Sequence, residues 1–214
     1  MEFDLLGWPE DEPTLRLDYR AFSYAGKFVM TTTGKAALRT ADGSAAAPGW
    51  EPGRKLPEGM DPDAFDADVA AAIAFDADRT DPEVLRLRYV TVHAALRGEG
   101  LGPRLVGDLL GPAAERGFER VRIAVNNPFA YEALYRAGFA FTGRETGLAE
   151  LVLERPVEAP AADREEAARY REGLARYRKR GGLSDAERSF LRERLGDGGS
   201  GECGAGARPP ELRI

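Results

Sequence analysis

A glycine-rich hexapeptide offers the clearest chemistry in this sequence of 214 residues. Alternate glycines let a backbone turn tightly and bring its N–H groups close to an anion. A helical pattern begins directly after the segment, and the start of a helix adds the positive end of its dipole. The segment therefore predicts a site for a phosphate or a pyrophosphate. It reads Arg97-Gly98-Glu99-Gly100-Leu101-Gly102.

Two common phosphate-binding loops do not fit this hexapeptide. A P-loop ends in Gly-Lys-Ser or Gly-Lys-Thr, and neither sequence is present. A dinucleotide fingerprint has the spacing G-x-G-x-x-G, whereas the glycines here follow G-x-G-x-G. That fingerprint also needs an acidic residue about 20 positions further on, at the end of the next strand. Glu119 lies near that distance but precedes the predicted strand Val121–Val125.

A second motif follows downstream and completes a resemblance to a known family. Asn127 lies in a turn that leads into a predicted helix, and the helix ends in Leu134-Tyr135-Arg136-Ala137-Gly138-Phe139. Together with Val92-His93-Ala94 and the hexapeptide, this order resembles the GNAT superfamily of N-acetyltransferases over about residues 69–154. The usual proline is replaced by Ala94. The Leu-Tyr-x-x-Gly-Phe ending is one residue shorter than the Leu-Tyr-x-x-x-Gly-Phe form of many members, but it agrees with a common variant.

The resemblance implies an acetyl-CoA site and a set of residues that hold it. The pantetheine arm would lie between two splayed parallel strands and bond to the backbone near Val90 and Val92. The pyrophosphate would lie on the N–H groups of residues 97–102. Asn127 would contact the cofactor, and Tyr135 would donate a proton to the leaving thiolate as a general acid.

Each of these two side chains also has a purely structural interpretation. Asn127 is well placed to cap the following helix, since asparagine favours that position. Tyr135 could be an ordinary core tyrosine. Tyr131, one helical turn earlier, shares its face and competes for the catalytic role.

The general base is not identified by the sequence. Many members of the family carry a carboxylate on the strand before the loop, and none lies there in this chain. His93 has a suitable ordinary pKa, although a lone histidine beside a loop also serves as a structural donor. Asp76, Asp78 and a chain of water molecules are the alternatives.

The first half of the chain predicts strands followed by a strand–loop–helix unit. Residues 1–13 are interpreted as an irregular lead-in and residues 40–62 as a long loop. Alternating or β-branched runs predict strands, and the last two should form a hairpin. The predicted strands are Leu15–Phe22, Lys27–Thr33, Val69–Phe75 and Leu85–Val92. The near-contiguity of the first two leaves no room for the pair of helices that the family normally places there on the acceptor side.

The second half predicts a mixed sheet with flanking helices. The helix after the loop runs through Leu105–Leu110 to Gly117 with a kink at Gly111-Pro112. Strands at Val121–Val125, Phe139–Thr142 and Glu150–Glu154 follow, with a helix before Gly138. Helices at Asp163–Arg180 and from Ser184, which opens a capping box, come last.

These elements predict an α/β fold, which is a GNAT-like twisted mixed sheet with splayed central parallel strands and a C-terminal helical extension. The predicted domains are an acyl-CoA-binding domain at 1–155, a helical pair at 156–195 and a disordered, glycine-rich tail at 196–214.

Composition limits the chemistry further. A single cysteine, Cys203, and a single histidine argue against an internal disulfide, a cysteine-based zinc site and a histidine-rich metal site, so no metal is expected. The amino terminus has no signal-peptide pattern and no apolar run is long enough for a membrane span. A cytoplasmic protein is expected.

The charge distribution suggests which acceptor would suit the chain. Residues 1–84 carry 17 acidic and 8 basic side chains, against 19 and 22 in the remainder. The acidic half could attract an amine or simply be a solvated surface. We therefore predict transfer of an acetyl group to a primary amine, on a small molecule, a protein N-terminus or a lysine.

Two other functions and one assembly state remain open at this point. A non-catalytic acyl-CoA sensor is the main alternative, because the acceptor helices and the carboxylate are missing. A nucleic-acid function through Arg176, Arg178, Lys179 and Arg180 is disfavoured by the net charge of -6. A homodimer is compatible with the sequence.

Overall fold

The computed structural model describes residues 1–196 and 208–212. These residues form seven strands and four α-helices in two compact units, Met1–Phe118 and Glu119–Ile214. The predicted α/β class is confirmed. The predicted splay between parallel strands and the boundary near residue 155 stay predictions. Most of the predicted disordered tail, residues 197–207 and 213–214, lies outside the described residues.

The first unit is an antiparallel sheet covered by a helix. Its strands follow the order β1-β2-β3-β4, and α1 packs against all four. The predicted hairpin of β3 and β4 is confirmed, and α1 continues through Pro112 as one helix. The bounds are β1 Glu2–Gly7, β2 Gly34–Arg39, β3 Val69–Ala77, β4 Val84–Val92 and α1 Leu101–Glu115.

The first two predicted strands are wrong. Neither Leu15–Phe22 nor Lys27–Thr33 forms a strand, and β1 lies in the segment that was expected to be irregular. Leu15 and Leu17 are buried alternately with exposed neighbours, as the pattern requires, but they pack onto the sheet without joining a ladder. Alternation of apolar and polar residues indicates that every second side chain is buried. A segment with this pattern forms part of a sheet only if a neighbouring strand pairs with it.

The segment between β1 and β2 contains no α-helix. Residues 8–33 are all described, and they contain only short 3-10 turns at Pro9–Asp11 and Ala25–Lys27. Their buried side chains cover the face of the sheet that includes Ala37 and Ala72. Irregular chain therefore takes the place of the pair of helices that the family normally has here. The sequence also predicts that these helices are missing, but that inference rests on two predicted strands that do not form.

The first residue of β2, Gly34, has to be a glycine because an aromatic ring occupies the space that a side chain would need. The residue lies opposite Phe75 on β3. A Cβ atom at Gly34 would overlap Phe75 Cε2 and lie 2.8 Å from Cζ. Since the ring of Phe75 is fully buried, it has no free space into which it could move. From the sequence, Gly34 is interpreted as the residue that ends a strand. In the structure it is the first residue of β2, where a larger side chain would not fit.

Gly34→Ala is expected to lower the free energy of unfolding by roughly 1–3 kcal/mol, the usual cost of overpacking a core. Gly26→Ala is the matched control, since a Cβ there meets nothing within 4 Å. Chemical denaturation of both variants checks the difference. Equal stability of Gly34→Ala and Gly26→Ala would contradict the steric argument.

The second unit is a three-stranded antiparallel sheet with three helices. Its strands follow the order β5-β7-β6, α3 packs against β6, and α4 packs against α2 and α3. The predicted capping box is confirmed, because Ser184 Oγ accepts from Glu187 N at 3.2 Å while Ser184 N donates to Glu187 Oε2 at 2.8 Å. The bounds are β5 Arg120–Val125, α2 Pro128–Arg136, β6 Ala140–Glu145, β7 Leu151–Pro156, α3 Ala167–Arg178 and α4 Asp185–Leu195.

Candidate functional site

The glycine-rich loop joins β4 to α1, as predicted. A 3-10 turn at Ala94–Leu96 follows the strand, and α1 begins at Leu101. Gly98 and Gly100 have φ angles of 91° and 82°, in the left-handed region that side chains with a Cβ rarely adopt. The two glycines therefore set the path by which the loop enters the helix.

The loop exposes a row of unused backbone donors. Among the described residues, the N–H groups of residues 98–102 have no hydrogen-bond acceptor. The first backbone bond into α1 is that of Arg104 N to Gly100 O, at 3.1 Å. Unpaired donors at the start of a 15-residue helix form a site that favours an anion. The Arg97 side chain, which is exposed, adds a positive charge beside it.

Val90 and Val92 lie on the strand that leads into this loop. They pair with Ile73 and Ala71 of β3, and β4 is the last strand of the first unit's sheet. The end of β4 packs closely on the start of α1, since a Cβ at Gly102 would lie 3.8 Å from Val92 Cγ2. The first unit thus brings together the loop and the two valines that the sequence predicted.

Asn127 caps α2 in the second unit. Its Oδ1 accepts from Ala130 N at 2.8 Å, so the structural interpretation of this residue is confirmed. The side-chain Nδ2 lies 3.3 Å from Asn126 Oδ1 and is the group that remains for a ligand. Contact with a cofactor stays a prediction.

Tyr135 lies in a closed chain of hydrogen bonds. Its side chain is fully buried, and its hydroxyl accepts from Phe141 N at 3.0 Å. The hydroxyls of Tyr135 and Tyr131 are 3.3 Å apart, and Tyr131 donates to the Tyr170 carbonyl at 3.1 Å. These contacts supply the structural role that competes with the predicted general-acid role.

Tyr135 and Tyr131 share the buried face of α2. They lie four residues apart, which is about one helical turn. Their ring centroids are 4.9 Å apart. Gly173 on α3 admits this cluster, because a Cβ there would overlap the hydroxyl end of Tyr131.

Burial also changes the acidity of this tyrosine. Desolvation raises the pKa of the Tyr135 hydroxyl, and its hydrogen bonds with the Tyr131 hydroxyl and with Phe141 N offset only part of that rise. A higher pKa makes a group a weaker proton donor to a thiolate. The electrostatics of the second unit therefore favour a structural Tyr135, whereas its motif favours a catalytic one.

The contacts of His93 make its imidazole a hydrogen-bond donor and not a general base. The imidazole is 8% exposed, with the rings of Phe22 and Trp50 packed edge-on against it. Its Nδ1 accepts from Ala95 N at 3.2 Å, so the neutral ring carries its proton on Nε2. Burial lowers the pKa of His93, although Asp18 opposes that shift. At neutral pH, Nε2 can thus donate a proton but has no lone pair to accept one.

Asp76 and Asp78, the other candidates for the general base, already have partners within the protein. Asp76 pairs with Arg86 at 2.9 Å and with Arg88 at 3.1 Å, and Asp78 accepts from Thr80 Oγ1 at 2.7 Å. Asp76 lies opposite Arg86, six residues before Val92 on β4. At about 3.3 Å per residue, that separation is roughly 20 Å. These carboxylates are too far from the Val92 end of β4 to act as the general base for an amine that reacts there.

A buried carboxylate that the sequence did not reveal joins the three helices of the second unit. Glu132 on α2 is 3% exposed and accepts from Arg194 on α4 at 2.7 and 2.8 Å. Arg136 lies 2.6 Å from the same carboxylate, and the Tyr170 hydroxyl donates to it at 2.9 Å. Burial alone would raise the pKa of Glu132, but the bonds from Arg194 and Tyr170 lower it below its ordinary value.

Glu132→Gln is expected to lower the free energy of unfolding at pH 7 by roughly 1–3 kcal/mol, because it leaves the arginines without a buried counter-charge. The ionised form of Glu132 stabilises the fold above its ordinary pKa of 4.5. That contribution is lost as the pH falls through the lower pKa of the folded state, so the wild type and the variant should converge in acid. Denaturation at several pH values checks this against the exposed control Glu166→Gln. A constant difference across the pH range would contradict it.

Membrane-spanning helices and metal-binding clusters are both absent from the described residues. None of the helices in this part of the chain is long and apolar enough to cross a membrane. No group of histidine, cysteine, aspartate and glutamate side chains in the same ranges could hold a metal ion.

Solved structures give only distant likenesses. A nourseothricin acetyltransferase is 20% identical, with a TM-score of 0.43 over 58% of this chain, and the match spans 65% of that protein's length. A GCN5-related N-acetyltransferase from Kribbella flavida is 22% identical, with a TM-score of 0.40 over 58% of this chain and 67% of the other. The PaiA N-acetyltransferase from Thermoplasma acidophilum, solved with coenzyme A, is 15% identical, with a TM-score of 0.37 over 42% and 55%.

The sequence match to a family is more informative than these likenesses. No curated protein matches the chain. The model of the acetyltransferase (GNAT) family matches residues 57–139, which include β3, β4, the glycine-rich loop, α1 and α2. The resemblance to the GNAT family that was drawn from the two motifs is thereby confirmed over these residues.

Proposed function

We propose that this protein transfers an acetyl group from acetyl-CoA to a primary amine. The observation that carries the proposal is the row of unpaired N–H groups at residues 98–102, at the start of α1. That row lies inside the segment that matches the GNAT family. A pyrophosphate is the anion that best fits consecutive backbone donors at the start of a helix. The proposed compartment is the cytoplasm.

Each predicted residue has a role in this proposal. The N–H groups of the loop hold the pyrophosphate, and Arg97 adds charge beside it. The backbone of Val90 and Val92 binds the pantetheine arm, and the side-chain Nδ2 of Asn127 contacts the cofactor. Acetyl-CoA supplies the thioester whose acyl group is transferred.

In the proposed reaction the protein has two main tasks, which are to position the amine beside the thioester and to polarise the thioester carbonyl. The amine nitrogen attacks the thioester carbonyl carbon while a backbone N–H near Val92 polarises the oxygen. The bond to sulfur then breaks, and the thiolate takes up a proton. Tyr135 is the candidate donor of that proton. With His93 held as a donor, the amine proton passes to water.

An acyl-CoA sensor without catalysis is the second candidate function. Two observations favour it. Residues 8–33 form no acceptor helices, and the Tyr135 hydroxyl is engaged by Phe141 N. Such a protein would bind acetyl-CoA as tightly as an enzyme but would turn nothing over.

Thiol release from acetyl-CoA, measured against a panel of amines, separates the two functions. The panel should include polyamines, aminoglycosides, amino acids and peptides with a free N-terminus or lysine. We expect at least one amine to raise thiol release well above the rate without acceptor. Tight binding of acetyl-CoA with no amine-dependent release would support the sensor instead.

A further inference from the structure

A basic cavity lies beside the turn between α3 and α4, in the second unit. Its volume is about 310 Å³, and no acidic side chain is among the described residues that line it. Four arginines form its polar wall and two leucines its apolar part. They are Arg178, Arg180, Arg188 and Arg192, with Leu183 and Leu191. Part of the basic run that the sequence singled out therefore lines a cavity.

Two of the four guanidinium groups are held in place by the protein itself. Arg180 donates to the carbonyls of Asn126, at 3.0 Å, and of Ala149, and it lies over the ring of Tyr177. Arg188 donates to the Leu183 carbonyl and to Asp185, at 2.6 Å. Because most of these acceptors are neutral carbonyls, the positive charge of Arg180 is not cancelled by its partners.

The other two arginines have no partner within the described residues. Arg178 ends α3 and Arg192 lies in the last turn of α4, and both side chains are exposed. Neither makes a hydrogen bond or an ion pair there. Gathering like charges at one cavity is unfavourable without a counter-charge, which is notable in a chain whose net charge is -6.

A second groove on the same helix contains acidic as well as basic side chains. This groove, of about 510 Å³, is lined by Glu145 and Glu172 together with Arg176, Lys179 and Arg180. Arg176 lies 2.6 Å from Glu145 and 2.7 Å from Glu172, so its charge is neutralised within the protein. Among the described residues, no such acid lines the arginine cavity.

We propose that the arginine cavity binds the phosphate group of a small phosphorylated molecule. The planar guanidinium fork matches phosphate oxygens and binds them through paired, charge-assisted hydrogen bonds. The volume lies at the lower end of ligand pockets and suits one or two phosphates with a small organic part. Leu183, which is half-buried, offers that part an apolar contact. The site is separate in sequence from the loop at residues 97–102 and does not depend on the proposed acetyl transfer.

Calorimetric titration with inorganic pyrophosphate and with ADP tests this site at about physiological salt. The double variant Arg178→Gln, Arg192→Gln should bind at least tenfold more weakly at this site than the wild type. Arg79→Gln, which removes one exposed arginine of the first unit, matches each single variant in charge and should leave binding unchanged. The single variants Arg178→Gln and Arg192→Gln, each with its melting temperature, guard against a folding defect in the double variant.

The loop at residues 97–102 could itself bind pyrophosphate, so Gly100→Asp is titrated in parallel. Binding that survives in Gly100→Asp and is lost in the double variant supports the arginine cavity. Binding lost only in Gly100→Asp, or lost equally in Arg79→Gln, overturns the proposal. An oligonucleotide that binds more tightly than ADP, through the same arginines, would also overturn it, since an extended polyanion would then be the ligand.

Discussion

Replacing Gly100 by aspartate is expected to weaken acetyl-CoA binding at least about tenfold, equivalent to ~1.4 kcal/mol. Gly100 directly precedes α1 with a φ of 82°, among backbone N–H groups that have no acceptor in the described chain. A carboxylate there would repel a phosphate and hinder its approach to the backbone. Calorimetry with acetyl-CoA measures the loss.

Gly100→Asn is the matched control for this variant. Asparagine and aspartate have nearly the same shape, and both tolerate the left-handed region better than other residues with a Cβ. Any effect of crowding or backbone strain is therefore shared by the two variants. Weaker binding in Gly100→Asp than in Gly100→Asn isolates the charge, as a bound phosphate requires. Wild-type affinity in a folded Gly100→Asp protein would remove the loop from the cofactor site.

Tyr135→Phe should lower kcat about 100-fold or more if this residue protonates the thiolate, the usual scale of general-acid catalysis. The affinity for acetyl-CoA should hardly change, because the ring and its packing remain. The structural role makes a different prediction. Loss of the acceptor for Phe141 N should then lower the free energy of unfolding by about 0.5–1.5 kcal/mol, with turnover intact.

Tyr131→Phe is the comparison that assigns the role to one residue. Its hydroxyl donates to the Tyr170 carbonyl, so its removal should cost stability by a similar amount. A large loss of kcat in Tyr131→Phe but not in Tyr135→Phe would transfer the general-acid role one turn earlier. Full turnover in Tyr135→Phe would end the general-acid proposal for that residue.

Local signals were enough to predict most of the second unit and the loop. A capping residue at Ser184, a proline after Asn127 and a left-handed glycine at Gly138 act within a few residues, so the sequence displays them directly. The same holds for Gly98 and Gly100. The elements that depend on such signals were predicted to within a few residues at each end.

Features that depend on distant partners were missed. Leu15 and Leu17 follow a strand pattern, but a sheet needs a neighbouring strand, and none pairs with them. Glu132 resembles an ordinary surface glutamate until the fold brings Arg194, 62 residues away, to its carboxylate.

Mass spectrometry of the acceptor tests the central claim most directly. The protein is incubated with acetyl-CoA labelled in its acetyl group and with the amine that releases most thiol. The account predicts that the label appears on the amine as an amide, in an amount equal to the thiol released, and that Gly100→Asp reduces both together. Labelled acetyl-CoA that is bound but never yields a labelled amide with any amine would contradict the account.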